Sequence, residues 1–158
     1  MLFTGKGISR SLRFGVSLTV LLFLFGCSSP SLKVQLEAQT QLNQDAQGDS
    51  YSVLVRFYQL TDPAIFERAS KSSLLNDDES LLGVTLVGKE ELMVSPGLVT
   101  ELNIPKVEET KYLGVVAFYR DANSDHQMAV KKVKSGKIAK STKLDLVLSN
   151  NELFLTYQ

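Results

Sequence analysis

One cysteine and one histidine, Cys27 and His126, are all that this 158-residue sequence offers to thiol or imidazole chemistry. A zinc site takes three or four Cys, His or carboxylate ligands, and His126 has no cysteine to join it, so it reads as a solvated loop residue. The run Asp121-Ala122-Asn123-Ser124-Asp125 has oxygen donors at alternate positions, faintly like a calcium loop. An EF-hand loop needs glycine at its sixth place and glutamate at its twelfth; here those places hold His126 and Lys132. The run reads as a polar hairpin loop. Glu90-Glu91 and Glu108-Glu109 are neighbours in sequence, and neighbours in a strand point to opposite faces, so they do not converge on a substrate. There is no G-x-S-x-G elbow and no Ser/His/Asp arrangement to argue from. The chain reads as a non-enzyme, with no catalytic residue, no metal and no small-molecule substrate.

That leaves Cys27. A lone cysteine closes no internal disulfide. It can be apolar filler in a buried helix, a reactive thiol, or an acceptor for lipid, and its surroundings bear on which. Lys6, Arg10 and Arg13 precede an uncharged stretch of 12 residues, Phe14 to Phe25. Crossing a bilayer takes about 20 apolar residues, whereas a short apolar stretch behind a basic flank fits a secretory signal. An uncleaved anchor is the competing reading. The stretch ends in Leu24-Phe25-Gly26-Cys27, which resembles the bacterial lipobox, with Phe25 bulkier than usual at its place. Signal cleavage needs a small residue before the cut, here Gly26. The Cys27 thiol would take a diacylglycerol and its freed amino group an acyl chain such as palmitate. More than one chain is needed because a single chain holds only marginally to a membrane. Residues 1–26 are thus expected to be a cleaved signal, 27–31 the lipidated cysteine and a short tether, and 32–158 the folded domain. Ser28, where enteric-type bacteria use Asp for inner-membrane retention, points to the outer membrane and a periplasm-facing domain.

Composition agrees. Hydrophobic residues make up 44% and charged ones 22%, ordinary for a globular domain with a core. The chain has 17 basic and 17 acidic residues; three of the basic ones precede Cys27, leaving 14 against 17 in the rest. That balance argues against nucleic acid, which asks for a basic excess.

Most of the domain reads as strands. Leu32, Val34, Leu36 and Ala38 alternate with polar residues, the period of two of a half-buried strand. Tyr51 to Leu60 and Lys111 to Arg120 are apolar on nearly both faces and read as central strands. Gly88 to Val94 and Leu98 to Ile104 flank Ser95-Pro96-Gly97, where Pro-Gly suits the middle of a type II turn. Gln127 to Lys134 is a polar edge candidate. Leu144 to Leu148 and Leu153 to Tyr157 flank Ser149-Asn150-Asn151-Glu152, where an asparagine could supply a left-handed turn residue. Eight strands at this spacing predict an all-β, two-sheet β-sandwich. One helical insertion, about 62–83, interrupts it. Asp62-Pro63 predicts one helix start, and Asp78 to Gly83 predicts a second short helix capped by Asp78 and stopped by Gly83.

Two polar stretches are candidates for contact. Gln39 to Ser50 is long for a hairpin loop and reads as either a mobile linker or a binding loop. Lys131, Lys132, Lys134, Lys137, Lys140 and Lys143 fall within 13 residues without an acid. They suit a solvated, protected sheet edge, lipid headgroups or an acidic partner.

Several of these pieces recur in one family. Leu42-Asn43-x-Asp45 with Gly48, then Val53-x-Val55-Arg56-Phe57-Tyr58-Gln59-Leu60, follow the lipobox and first strand. Phe66, Ser73-Leu74, Pro96-Gly97 and Leu113-Gly114-Val115-Val116-Ala117-x-Tyr119-Arg120 come after. Together they resemble the outer-membrane lipoproteins of bacterial type VI secretion systems, the TssJ family, over nearly the whole domain. The resemblance implies a transthyretin-like sandwich and a structural role. Such a protein anchors a trans-envelope complex to the outer membrane by binding the periplasmic region of the inner-membrane subunit TssM. It implies that the loop between the first two strands, Leu42, Asn43, Gln44, Asp45, Ala46, Gln47, Gly48 and Asp49, contributes to that contact. Replacing this loop by Gly/Ser is expected to abolish binding with little change in stability. Family members often carry a Trp-Arg pair in the strand after "AFYRD"; this chain has no tryptophan, and Met128-Ala129 stands near that place. A small-ligand or lipid-binding periplasmic lipoprotein on the same sandwich is the alternative, and a lipid-anchored hydrolase a distant third. The dense Leu/Val/Phe pattern favours a filled core over a roomy pocket.

Overall fold

A computed structural model describes residues 30–121, 126–135 and 140–158. Cys27 with its signal, Ser28, residues 122–125 of the polar loop and Lys137 lie outside the described residues.

Eight strands form two four-stranded sheets. They are β1 (Ser31–Ala38), β2 (Val53–Leu60), β3 (Leu86–Val94), β4 (Val99–Pro105), β5 (Tyr112–Phe118), β6 (Met128–Lys132), β7 (Thr142–Leu148) and β8 (Leu153–Tyr157). One sheet runs β4-β1-β7-β8 and the other β3-β2-β5-β6. The two-sheet, eight-strand sandwich and its edge position for β6 agree with the sequence reading. β1 begins at Ser31, one residue inside the stretch read as tether.

Alternation in β1 puts Leu32, Val34 and Leu36 into the space between the sheets, where they meet Val55, Phe57, Val115 and Leu146. β2 and β5 are apolar on both faces because each face has its own partner. Their inner residues join this first core. Their outer residues, Tyr58, Leu60 and Val116, lie beneath Phe66, Leu74 and Leu82 of the helical insertion and form a second core. Burying a side chain such as Leu74 or Phe66 contributes about 1.5–3 kcal/mol. Among the described residues, every buried core residue lies between Leu32 and Leu155, so this stretch carries a core of its own.

The insertion contains α1 (Ala64–Arg68) and α2 (Lys71–Leu82), then a single 3₁₀ turn at Gly83–Thr85. α1 begins one residue later than expected, with Pro63 at its cap position, and the Asp62 carboxylate accepts from the Ala64 N–H at 2.9 Å just ahead of it. The second helix departs from expectation. It starts at Lys71, with Ser70 as cap accepting from the Ser73 N–H, and non-helical Asp77 (φ −151°, ψ 46°) separates that unforeseen first piece from the expected short piece ending at Gly83. Asp78 is therefore no cap. Its buried carboxylate accepts from Tyr58 Oη at 2.9 Å and Arg56 Nη1 at 3.2 Å, with Lys89 Nζ at 3.3 Å. Arg56 also donates to the carbonyls of Leu74 and Leu75 at the kink and to Glu91. The predicted stop at Gly83 holds, with φ at 49°.

Two turns differ from simple hairpins. Leu98 N–H donates to the Ser95 carbonyl around Pro96 and Gly97 (φ 75°), as a type II turn requires. That turn carries the chain from one sheet to the other. The β7–β8 hairpin closes without a left-handed asparagine; Asn43 (φ 52°) is the non-glycine residue with positive φ among the described residues. The expectation at Asn150 and Asn151 is thus corrected. A Ser149 N–H to Glu152 carbonyl bond closes that hairpin instead.

Candidate functional site

The parallel pairing of β1 with β7, and the antiparallel pairing of the rest, sort the loops into two ends. One end holds the entry into β1, where Ser31 N–H and Oγ lie 3.2 Å from Ser141 Oγ. The other, one strand length away or roughly 23 Å, gathers the β1–β2 loop, the Pro96-Gly97 turn, the segment after β5 and the β7–β8 hairpin.

The β1–β2 loop crosses between sheets and is internally bonded. Leu42 is fully buried in the first core. Asn43 is buried too, and it ties three elements together. Its Nδ2 donates to the Ser52 carbonyl, its Oδ1 accepts from Arg120 N–H, and its own N–H donates to the Asn150 carbonyl. Tyr51 N–H to the Leu42 carbonyl closes the base of the loop.

Beyond that base, Asp45 organises the tip. Its Oδ1 accepts from the N–H groups of Gln47 and Asp49, and its Oδ2 from Tyr51 Oη, each at 3.0 Å. Gln44 Nε2 donates to the Gly48 carbonyl, and Gly48 sits at φ 88°, where a side chain would be strained. Desolvation works to raise the Asp45 pKa, but the donors from Asp49, Tyr51 and Gln47 outweigh it and hold the carboxyl below its ordinary range. The same hydrogen bond pushes the Tyr51 phenol up. The Arg120 guanidinium lies over the Tyr51 ring, 4.5 Å from its centroid, a cation–π contact. Ala46 to Asp49 and Tyr51 are exposed.

A sequence profile of the type VI secretion lipoproteins, described under the names SciN, VasD, EvfM and TssJ, matches residues 30–151. The chain belongs to that family. No curated protein sequence matches it significantly. Among solved structures it resembles the T6SS lipoprotein TssJ1 from Pseudomonas aeruginosa. Identity is 27% and the TM-score 0.76, over 83% of this chain and 98% of that one. It also resembles Serratia marcescens Lip, described as a membrane bound component of the type VI secretion system. Identity there is 20% and the TM-score 0.74, over 83% and 99% of the two chains. A chain in a structure described as the T6SS protein TssM C-terminal domain from EAEC matches at 24% identity and TM-score 0.66, over 78% and 98%. The last two likenesses speak for the fold alone.

In this TssJ-family sandwich, the eight residues of the predicted loop have two fates. Leu42 and Asn43 are structural, so a replacement that includes them strips a core side chain and the two hydrogen bonds of the Asn43 side-chain amide. The expectation that such a swap leaves stability nearly unchanged is corrected on that ground. Gln44, Asp45, Ala46, Gln47, Gly48 and Asp49 form the accessible tip. Sequence reasoning missed Tyr51 and Arg120, which it had put in flanking strands. It also missed Gln127, which is buried, donates to the carbonyls of Asp121 and Asn151, and accepts from Lys71 of α2. His126 Nδ1 lies 3.7 Å from Glu152 Oε1 in an exposed pair. Among the described residues, no group of three His, Cys, Asp or Glu side chains is disposed to hold a metal, and no helix is long and apolar enough to cross a membrane.

Proposed function

We propose that this chain is a non-catalytic anchor. Its signal is cleaved after Gly26, diacylglycerol and an acyl chain on Cys27 hold it in the outer membrane, and the domain faces the periplasm. There it binds the periplasmic region of the inner-membrane subunit TssM through the loop tip Gln44–Asp49, with Tyr51 and Arg120 at its margin. The observation that carries this reading is the opposition of the two ends. The tether enters at one end of a filled sandwich, and a pre-ordered, exposed loop stands at the other, directed away from the membrane that the lipid would enter. Membership in the secretion lipoprotein family supports it.

The ligand-carrier alternative needs a pocket of at least about 300 Å³. The apolar cleft between β3 and β4, beside Phe57, Leu92, Leu102 and Ile104, measures about 240 Å³; a roomier depression of about 420 Å³ is ringed by five lysines instead of apolar side chains, and together these favour the anchor. Cys27→Ser is expected to leave the domain folded and release it from the outer membrane in fractionation. A variant still found in that membrane after a high-salt wash, which screens contacts between surface charges, would refute the lipid anchor. A pull-down from solubilised envelope with the domain from Ser28 onward should recover a large inner-membrane protein; recovery of a small apolar molecule alone would favour the carrier.

A further inference from the structure

The end of the sandwich where the chain enters holds a group of lysines that the loop account leaves unused. Lys33 of β1, Lys132 and Lys134 at and after the end of β6, and Lys140 and Lys143 at the start of β7 surround a depression of about 420 Å³. Their convergence comes from the topology. β1 and β7 start side by side, and the chain leaving β6 crosses to them, held by Lys134 N–H to Thr142 Oγ1 and by Tyr157 Oη to the Lys132 carbonyl. We propose that this lysine face is a second membrane contact, lying on the anionic phospholipid headgroups of the leaflet that the lipid chains enter.

Three observations carry it. No acidic residue lines the depression; one, Glu101, lines the adjoining hollow with Lys33 and Lys143. None of the five lysines is in an ion pair among the described residues, whereas Lys89 on the helical face is paired with both Asp78 and Glu79. Five unpaired like charges at one end repel one another unless a negative surface meets them. Second, Ser141 between Lys140 and Lys143 touches Ser31, and four residues from Cys27 to Ser31 reach at most about 14 Å. The tether therefore holds this end, and not the loop end, near the bilayer, within about two Debye lengths. Third, half-exposed Tyr157 stands among the lysines with Lys131 Nζ 5.7 Å from its ring centroid, and amphipathic rings of this kind favour the membrane interface.

The orientation rests on the proposed lipidation of Cys27; the test does not use it, so the two can fail separately. The domain from Ser28 onward, unlipidated and with its whole core present, is floated with vesicles of phosphatidylcholine alone or of phosphatidylcholine mixed with phosphatidylglycerol. Flotation is expected with the anionic vesicles only, and is lost in high salt. A charge near an anionic surface is worth about a fivefold factor in partition. Changing Lys132, Lys134, Lys140 and Lys143 to Gln should thus lower partition by more than about a hundredfold, while changing all four to Arg preserves it. If the Gln variant does not fold, the salt dependence and the Arg variant still decide. Failure to float with anionic vesicles, equal flotation with neutral ones, or undiminished flotation of a folded Gln variant overturns the proposal. Absence of lipid binding would leave the lysines as guards of the β6 and β8 edges or as a site for an acidic protein.

Discussion

Gly114 and Phe66 are far apart in sequence, and each looks like an isolated feature there. In the fold they form one contact: a Cβ on Gly114 would sit 3.0–3.1 Å from three carbons of the Phe66 ring. Only a glycine in β5 lets α1 lay that ring against the sheet, beside Tyr58 at a 5.7 Å centroid distance. Gly114→Ala is expected to cost about 1–3 kcal/mol in urea unfolding, and less in a Phe66→Leu background, since the two positions couple. Equal costs in both backgrounds would show that the ring is not what the glycine accommodates. Asp45 gives a pH test at the same scale. Its folded pKa is depressed, so the order it gives the loop is present above the unfolded value, about 3.9, and is lost as pH falls through the lowered one. The amide signals of Gln47 and Asp49 should hold steady from neutral pH down to about pH 4 and move only below it. Movement centred above pH 5 would contradict the hydrogen bonding described here.

The elements were legible to different degrees, for physical reasons. Alternation in β1 and β7, and two-faced apolarity in β2 and β5, follow directly from burial, so those strands could be read from the sequence. The first half of α2 could not. Lys71-Ser72-Ser73 are not strong as a helix start, and the buried face Leu74, Asp78, Leu82 has a carboxylate in its middle. An aspartate there reads as surface or cap until Arg56, Tyr58 and Lys89 are seen around it, and strand pairing supplies those partners, not local sequence. Burial raises the Tyr58 phenol well above its usual range, with the neighbouring Asp78 charge adding to the rise, so it remains a donor. Burial would raise Asp78 as well, but Tyr58, Lys89 and Arg56 outweigh that and lower its pKa. Asp78→Ala removes one partner from a mostly buried ion pair and is expected to cost about 3 kcal/mol at neutral pH. Because the folded pKa is depressed, this difference should be full above about pH 3.9 and shrink as pH falls through the lowered value. Acid-dependent thermal melts of both proteins check it, and a gap that widens on acidification would contradict it.

For the whole molecule, the sequence indicated a tether, a sandwich and a polar loop, but not how they face one another. That depends on which strands pair. β1 lies parallel to β7 and in the opposite sheet from β2, so the loop after β1 crosses the sandwich at the end away from the chain's entry. Tyr51 and Arg120 come together there only because β2 and β5 are neighbours. Met128 stands near the place where the family resemblance leads one to expect a tryptophan. Met128, the first residue of β6, is half-buried against the helices, next to a hollow of about 250 Å³ beside Phe66 and Val130. The central claim, an anchor that holds its partner by the loop tip, is tested most directly by titrating the TssM periplasmic region into the domain. Wild type is compared with a variant carrying Gly/Ser at 44–49 that keeps Leu42 and Asn43. The account predicts an affinity loss of at least about thirtyfold, with the melting temperature lowered by less than about 10 °C. Unchanged affinity in a folded variant would contradict it.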